Sequence, residues 1–136
     1  MKFKLIEFKS VNSTNNKAIR LIKNNRIKPS IITAKVQKRG KGTMGKKWIS
    51  QKGNIFISIF FEFKKNKIPF QQFSIFNAHI IKKILNKYST VKVKIKWPND
   101  LLIRNRKVCG ILQEIINHDD KQYLIIGIGI NSFTFP

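Results

Sequence analysis

Apolar and polar residues alternate along much of the chain in the pattern of β-strands. Residues 3–11 and 31–36 form the first two predicted strands. Residues 54–63 are apolar on both faces, which is typical of a strand in the middle of a sheet that helices cover. The second half is expected to consist mainly of hairpins, with strands at residues 91–97, 101–103, 108–117 and 122–130.

Two helices are predicted between these strands. The first begins within residues 12–15, which are of the types that cap helix N-termini, and runs to about Asn25. Ala18, Leu21 and Ile22 lie on one face of it. The second begins at Pro69 and ends near Asn86. Its apolar residues at helical spacing are expected to form a stripe that faces the core, namely Phe73, Phe76, Ile80 and Ile84. His79 lies off this stripe, and we expect it at the surface.

The predicted elements belong to the α+β class. Six or seven strands and two helices would form a mixed, largely antiparallel sheet with helices packed on it. A chain of 136 residues suits a single domain, residues 1–136, and is long enough to bury a core. Polar turns are expected at 64–67 and 118–121. Because no run of about 18 apolar residues is present, the sequence predicts no membrane span.

The most distinctive stretch is residues 37–50, QKRGKGTMGKKWIS, in which glycines alternate with basic residues. Glycine lets the backbone approach a ligand closely, and neighbouring cations and free N–H groups form a concave site for an anion. We therefore expect a loop that closes over a phosphate or a carboxylate. The alternative is an exposed basic turn. A P-loop is not favoured, because Lys47 stands where that motif has Ser or Thr.

The formal net charge of +22 and the pI near 10.6 raise the possibility of nucleic-acid binding. The excess is mostly lysine, however, and it is spread evenly along the chain together with much Ile, Asn and Phe. An AT-rich coding sequence would produce the same bias. We expect weak, salt-sensitive binding from the charge alone, and no specific nucleic acid as a partner.

The chain has two histidines, one cysteine and six acidic residues, which leaves few catalytic chemistries open. C-x-x-C, H-E-x-x-H and G-x-S-x-G motifs are all absent from the sequence, which argues against zinc sites and serine hydrolases. Cys109 cannot form an internal disulfide, so a reducing cytoplasm is the simplest compartment. Cations beside isolated polar residues at strand ends suit a reaction that gathers phosphates and a carboxylate around Mg²⁺, such as formation of an adenylate.

Five sequence blocks together resemble the catalytic domain of biotin protein ligases. They are S-T-N at 13–15, Q-x-x-G-K-G-x-x-G-x-x-W-x-S at 37–50, K-W-P-N-D at 96–100, R-K-x-x-G-I-L-x-E at 106–114 and G-I-G-I-N at 127–131. The resemblance implies a fold like that of class II aminoacyl-tRNA synthetases. It also implies that biotin and Mg-ATP give biotinyl-5′-AMP, which then biotinylates a lysine of the biotin carboxyl carrier protein of acetyl-CoA carboxylase or another biotin-dependent carboxylase.

The same resemblance implies roles for individual residues. Lys107, Lys41 and Asp100 would be catalytic: the lysines would hold the biotin carboxylate and the α-phosphate, and Asp100 would orient or deprotonate the acceptor lysine. The residues expected to contact biotin share small polar side chains, exposed backbone or positive charge; they are Ser13, Thr14, Asn15, Gln37, Gly40, Lys41, Gly42, Lys107, Gly110 and Gly127.

The expected contacts to ATP or the adenylate are Gly42, Thr43, Lys46, Trp48, Lys96, Asn99 and Asn131. Of these, Asn131 would be the possible contact to Mg²⁺. Trp48 and Trp97 could each either pack or stack on the ligand. Glu114 matches the family block, but it could equally be a solvated acid on a strand. Cys109 is expected to be a small buried core residue.

Two departures from the family pattern affect the expected activity. The family loop usually carries two arginines where Lys41 and Thr43 stand here, so we expect weaker retention of the adenylate. The chain is expected to lack an N-terminal DNA-binding domain and a C-terminal β-domain, and to be incomplete at its C-terminal end. Alternatives are a lipoate or octanoate ligase of the same fold, an inactive truncated form, and a non-catalytic basic nucleic-acid-binding module; a homodimer is also possible.

Overall fold

A computed structural model describes residues 1–64 and 69–132 of the chain. The turn predicted at 64–67 therefore lies outside the described residues, apart from Lys64. The strands are β1 (Lys4–Val11), β2 (Ser30–Gln37), β3 (Ile55–Glu62), β4 (Lys94–Lys96), β5 (Asp100–Ile103), β6 (Arg106–His118) and β7 (Lys121–Ile130). The helices are α1 (Thr14–Lys23) and α2 (Phe70–Asn86), and a short 3₁₀ turn covers Thr43–Gly45.

The strands form one sheet in the order β1-β2-β3-β7-β6-β5-β4. Only β1 and β2 run parallel among the described strands, since every other neighbouring pair is antiparallel. The prediction of a mixed, largely antiparallel sheet in an α+β fold is thus confirmed. The strand predicted at 91–97 is shorter than expected, because only Lys94–Lys96 pairs with β5.

Two hairpin turns fix the register of the second half of the sheet. Arg104 and Asn105 join β5 to β6, and Asp119 and Asp120 join β6 to β7; all four have positive φ angles. Two consecutive residues of this kind form the type I′ turn, whose twist matches that of a two-stranded ribbon. The expected polar turn at 118–121 is confirmed, with only two of its residues outside the strands.

The two helices cover opposite faces of the sheet. On β7, Tyr123 and Ile125 join a buried cluster with α1, whereas Leu124 and Ile126 join a second cluster with α2. Successive side chains of a strand point to opposite faces, so this alternation assigns one helix to each face. No helix among the described residues is long and apolar enough to cross a membrane.

The stripe predicted to bury α2 is wrong for three of its four residues. Phe76, Ile80 and Ile84 are 54%, 41% and 47% exposed. The face that packs on the sheet is instead centred on Ala78, which is fully buried, and it includes Phe73, which was predicted correctly, together with Phe70, Ile81 and Leu85. The helix is apolar on more than one side, and the small Ala78 side chain allows the close approach that sets its rotation.

Candidate active site

A cleft opens on the face of the sheet that carries α1, at the N-terminal end of that helix. Beyond Ile125 on the same face of β7, the core side chains give way to Gly127 and Gly129, over which Asn15 and the Trp48 indole pack closely. The cleft is lined by the start of α1, the glycine loop, the turn before β5, and strands β6 and β7; its residues are Ser13, Thr14, Asn15, Gln37, Lys41, Gly42, Thr43, Trp48, Asn99, Asp100, Lys107, Gly110, Ile111, Leu112, Gly127, Ile128 and Gly129.

One end of the cleft is a network of buried polar groups. Gln37 Oε1 accepts hydrogen bonds from the Thr14 backbone N–H at 2.8 Å and from its hydroxyl at 3.1 Å. Ser58 Oγ lies 2.7 Å from Thr14 Oγ1 and 2.5 Å from Asn15 Oδ1. Its single proton can go to only one of these acceptors, so the network keeps hydrogen-bonding capacity that a polar ligand can use.

Ser13 contributes differently, because its hydroxyl accepts the backbone N–H of Asn16 at 3.3 Å and so caps α1. The sequence analysis did not predict Ser58 as a residue of the site. The signal for it was available, since it is the one polar residue within the run of apolar side chains from 55 to 61, and it is fully buried. Buried hydroxyls are normally hydrogen-bonded, so a lone serine in such a run indicates a polar partner above the strand.

Trp48 lies flat against a pair of glycines in the floor of the cleft. Gly110 and Gly129 face each other across β6 and β7, and a Cβ atom on either would come within 2.6 Å of the indole ring. Lys107 Nζ sits over the same ring, 5.1 Å from its centroid, a cation–π arrangement. Trp48 Nε1 is buried and has no hydrogen-bond partner among the described residues.

Lys107 forms an ion pair with Asp100 across the second wall of the cleft. The Lys107 Nζ to Asp100 Oδ1 distance is 3.1 Å, and the two side chains are 45% and 23% exposed. Asp100 begins β5 and Lys107 lies near the start of β6, so the hairpin between them places both groups on one wall. Asn99 also lines the cleft, but its amide is held by β6, with Nδ2 donating to the Ile111 carbonyl at 2.7 Å.

Lys41 extends from the glycine loop to a second carboxylate, Glu114. Its Nζ lies 3.1 Å from Glu114 Oε1, and Asn15 Nδ2 donates to the same oxygen at 2.9 Å. The loop itself is a small hairpin, in which the Trp48 N–H donates to the Gly40 carbonyl at 2.9 Å. Glu114 therefore binds two residues that line the cleft and is not a solvated acid on a strand. The sequence had left both interpretations of Glu114 open.

Several residues predicted for the site do not line the cleft. Lys46 and Lys96 are exposed, and Gly40 is buried beside the Ser50 hydroxyl and the Trp48 carbonyl. Asn131 is buried, donates to the Lys107 carbonyl at 3.0 Å and is bonded to Asn54 at 3.3 Å. The structure thus gives Asn131 a supporting contact to Lys107.

Trp97 is 68% exposed, so it neither packs in the core nor lines the cleft; the peptide bond that joins it to Pro98 is cis. Cys109 is a buried core residue, as expected. Burial, followed by the nearby Asp100 carboxylate, raises the pKa of the Cys109 thiol to about 12, with an opposing effect from Lys107. The thiol therefore stays protonated and takes no part in the site's chemistry.

The cleft offers few side-chain ligands for a metal ion among the described residues. Within residues 1–64 and 69–132, no three His, Cys, Asp or Glu side chains are grouped so that they could hold a metal ion. Among the residues that the structure describes, Asp100 is the one carboxylate that lines the cleft, and it is paired with Lys107. Mg²⁺ commonly keeps several waters and binds through one or two carboxylates together with substrate phosphates, which agrees with this arrangement.

The chain belongs to the biotin/lipoate A/B protein ligase family, whose model matches residues 7–131. Within that family it is similar to the bifunctional ligase/repressor BirA of Bacillus subtilis strain 168, with 34% identity over 132 residues, 93% of this chain and 40% of that protein. The chain spans about a third to two-fifths of the length of the curated BirA proteins that it matches.

Solved structures of biotin ligases share the fold. The biotin acetyl coenzyme A carboxylase synthetase from Helicobacter pylori with bound biotinylated ATP has a TM-score of 0.82 and 28% identity, over 98% of this chain and 63% of that chain. The biotin protein ligase from Aquifex aeolicus in complex with biotin and ATP has a TM-score of 0.78 and 32% identity, over 98% of this chain and 55% of that chain. The expected fold, like that of class II aminoacyl-tRNA synthetases, is thereby confirmed.

Proposed function

We propose that this chain carries the site of an ATP-dependent biotin protein ligase, which activates biotin as biotinyl-5′-AMP and transfers it to a lysine of a biotin carboxyl carrier protein. The main support is that one cleft combines polar groups, at Thr14, Asn15 and Gln37, with two cations, Lys41 and Lys107. This arrangement fits a ligand with a hydrogen-bonding head group and an anionic tail. Similarity to structures solved with biotin and ATP supports the same ligands.

In the first step, a carboxylate oxygen of biotin attacks the α-phosphorus of Mg-ATP, and pyrophosphate leaves with the electrons of the broken P–O bond. Both reactants are anionic, so their approach requires cations between them. Lys107 and Lys41 both line the cleft and supply those charges, which stabilise the crowded phosphate of the transition state. Mg²⁺ arrives with ATP as part of the substrate.

In the second step, the amine of the acceptor lysine attacks the carbonyl carbon of the mixed anhydride, and AMP leaves. An unperturbed lysine amine has a pKa near 10.4 and is mostly charged at neutral pH, so a base must take up its proton. Asp100 is the carboxylate in the cleft lining, and Lys107 Nζ holds it at 3.1 Å. Asp100 orients the incoming ammonium and receives its proton, while Lys107 stays on the departing phosphate.

The intermediate must be kept from water until the carrier arrives. The hairpin of the glycine loop covers the cleft, and the Trp48 indole closes its floor over Gly110 and Gly129. Thr43 lines the same cleft but brings no charge, so retention of the phosphate rests on Lys41 and Lys107. We accordingly keep the expectation that the adenylate is held less firmly than by a loop with two arginines.

The acceptor is proposed to be a carrier domain of acetyl-CoA carboxylase or another biotin-dependent carboxylase, met in the cytoplasm. A lipoate or octanoate ligase is the second candidate, because the matching family model covers ligases of both kinds. Both reactions form an acyl adenylate and modify a carrier lysine, so the two cations of the cleft suit either. The polar end, with its buried hydroxyls and amides, favours the polar ring system of biotin over a plain acyl chain.

The experiment is a transfer assay with the purified chain, Mg-ATP, a carrier domain and, in parallel, biotin, lipoate or octanoate. The intact mass of the carrier is the readout. We expect a gain of one biotinyl group and little gain from the other acids. Lys107→Ala should slow the transfer by about 100-fold or more, the usual effect of removing a transition-state charge partner. Lys121→Ala is the matched control, since Lys121 pairs with Glu62 outside the cleft.

Modification by lipoate or octanoate in place of biotin would replace the proposal by its alternative. Equal rates for Lys107→Ala and the unmodified chain would remove Lys107 from the mechanism. If no acid is transferred, calorimetry with biotin decides between two remaining states. Binding without transfer would indicate an inactive form that keeps the pocket, and absence of binding would refute the biotin assignment.

A further inference from the structure

We propose that Glu114 is a positioning residue of this site, which holds the glycine loop closed by fixing the ammonium of Lys41. The inference rests on the proposed function for its catalytic consequence, although its structural part can be tested without catalysis. Glu114 lies on β6, on the face that carries the cleft, two residues beyond Leu112, which lines the cleft. Its side chain is 28% exposed, and that of Lys41 is 32% exposed.

The carboxylate of Glu114 joins three parts of the chain that are far apart in sequence. Both of its oxygens accept from Lys41 Nζ, at 3.1 and 3.4 Å, and Oε1 also accepts from Asn15 Nδ2 at 2.9 Å. Lys41 belongs to the glycine loop, Asn15 to α1 and Glu114 to the central part of the sheet. One acid therefore links the loop to the rigid scaffold of the site.

Asn15 keeps its position without Glu114, whereas Lys41 does not. Asn15 is buried, its Nδ2 also donates to the Leu112 carbonyl at 3.3 Å, and its Oδ1 lies 2.5 Å from the Ser58 hydroxyl. Lys41, by contrast, directs the hydrogen bonds and the ion pair of its ammonium to Glu114 within the described residues. The specific effect of Glu114 is therefore on the loop.

The geometry of the loop turns this contact into control of the cleft. Residues 40–48 fold back on themselves, with Gly42 N–H donating to the Lys46 carbonyl at 2.7 Å and a β-bridge between Lys41 and Lys47. Such a hairpin moves as a unit, so fixing Lys41 also fixes Gly42 and Thr43, which line the cleft. A paired lysine is also presented to a ligand anion in one orientation, which lowers the conformational entropy lost on binding.

Limited trypsin digestion measures the structural part of the proposal. The readout is the initial rate of cleavage after Lys46 and Lys47, followed by mass. The variants are Glu114→Gln, Lys41→Met and the double variant, and Glu62→Gln is the matched control because it removes a strand carboxylate from an ion pair outside the cleft. We expect Glu114→Gln and Lys41→Met each to speed cleavage about 3- to 10-fold, with no further gain in the double variant, since coupled residues are not additive.

The same variants measure the functional part in the transfer assay. Glu114→Gln should raise the KM for biotin about 3- to 10-fold, because loop closure contributes to binding before the chemical step, and should also lower kcat, because Lys41 stabilises the transition state. In the Lys41→Met background, the same substitution should leave KM unchanged. A purely structural role would instead lower the active fraction, and therefore the apparent kcat, without changing KM.

Two digestion results would overturn the proposal. One is cleavage of Glu114→Gln at the rate of the unmodified chain and of Glu62→Gln. The other is a double variant whose acceleration equals the product of the two single effects, which would mean that Glu114 and Lys41 act independently. Because digestion needs no ligand, these results stand even if the chain transfers no biotin, and a failure of the proposed function remains distinguishable from a failure of this inference.

Discussion

Small residues determine the space and the polarity of the cleft. A Cβ atom on Gly127 would overlap the Asn15 amide, and one on Gly129 would overlap the Trp48 indole. The glycines therefore let α1 and the loop approach the sheet as closely as they do. Ser58 adds a hydroxyl in the middle of an otherwise apolar strand, so the polar end of the cleft is built by single-residue exceptions to the pattern of the core.

Cys109 is a buried thiol in the core beneath the cleft. Its side chain is fully buried, and its pKa is raised from 9.0 to about 12, first by desolvation and then by Asp100. The thiolate is the reactive form, so the raised pKa and the burial of Cys109 both suppress alkylation of the folded chain. We expect iodoacetamide to modify the native chain at about the rate set by unfolding, and the urea-unfolded chain rapidly.

The same shift predicts the direction of a pH effect on stability. The folded state keeps the thiol proton between pH 9.0 and about 12, whereas the unfolded state loses it. The contribution of the protonated Cys109 thiol to the free energy of unfolding is therefore complete below pH 9.0. It is lost as the pH rises towards 12, with a slope of at most about 1.4 kcal/mol per pH unit.

Equal alkylation rates in the native and unfolded chains would contradict the burial of Cys109. Since the chain has one cysteine, the label reports this position alone.

The rotation of α2 can be tested with two neighbouring isoleucines. Ile80 is 41% exposed, whereas Ile81 packs against the buried cluster that contains Ala78 and Leu101. Both occupy the same helix, so replacing either by Gln changes helix propensity equally. We expect Ile81→Gln to lower the free energy of unfolding by about 1–3 kcal/mol and Ile80→Gln to change it by about 0.5 kcal/mol or less.

Urea unfolding followed by circular dichroism gives both values. Ile80→Gln thus serves as the control for Ile81→Gln in the same helix. If the two variants lose equal stability, the face that carries Phe76, Ile80 and Ile84 is covered in solution. If only Ile80→Gln is destabilised, the core-facing stripe expected from the sequence is correct and the rotation described above is not.

Sequence periodicity predicted the order and type of the elements well, and the rotation of α2 poorly. Strands of the second half alternate and are joined by two-residue polar turns, so local rules suffice for them. In α2, apolar residues occupy more than one side, and the choice between sides depends on Ala78 joining a buried cluster with Val93, which precedes β4, and Leu101 on β5. That contact is tertiary and leaves no local signal.

The candidate site divides in a similar way between what the sequence predicts and what it does not. Family blocks brought together most of the cleft, including Lys41, Asp100 and Lys107, because those residues lie at strand ends or in loops that meet in the fold. Whether each side chain turns towards the cleft was not predictable from the blocks. Lys96 turns outward, and Asn131 is buried behind Lys107, where it binds the carbonyl of that residue.

The whole protein carries a charge of +22, but its cleft holds a balanced set of charges. Among the residues that the structure describes, Asp100 and Glu114 each pair with one cleft lysine at 3.1 Å. Three of the six acidic residues, Glu62, Asp119 and Asp120, lie instead around the β6–β7 turn and the adjoining end of β3. The overall field therefore attracts anionic ligands over long range, while the paired lysines provide the local geometry for binding.

This division predicts how the chain treats nucleic acid. Because the excess lysines are spread over many elements, we expect weak binding to double-stranded DNA without sequence preference. With 6–10 phosphates neutralised, affinity would fall by roughly 10³–10⁵ between about 50 and 200 mM salt. Fluorescence anisotropy with two duplexes of equal length and unrelated sequence, with and without biotin, measures this. Lys107→Ala should change the binding little, since one cation among 28 lysines and arginines is lost. A preference for one duplex that persists at the higher salt concentration would contradict the prediction and favour the nucleic-acid-binding alternative. Equal, salt-sensitive and biotin-independent binding would instead assign the charge to the general surface and leave the cleft to the ligase reaction.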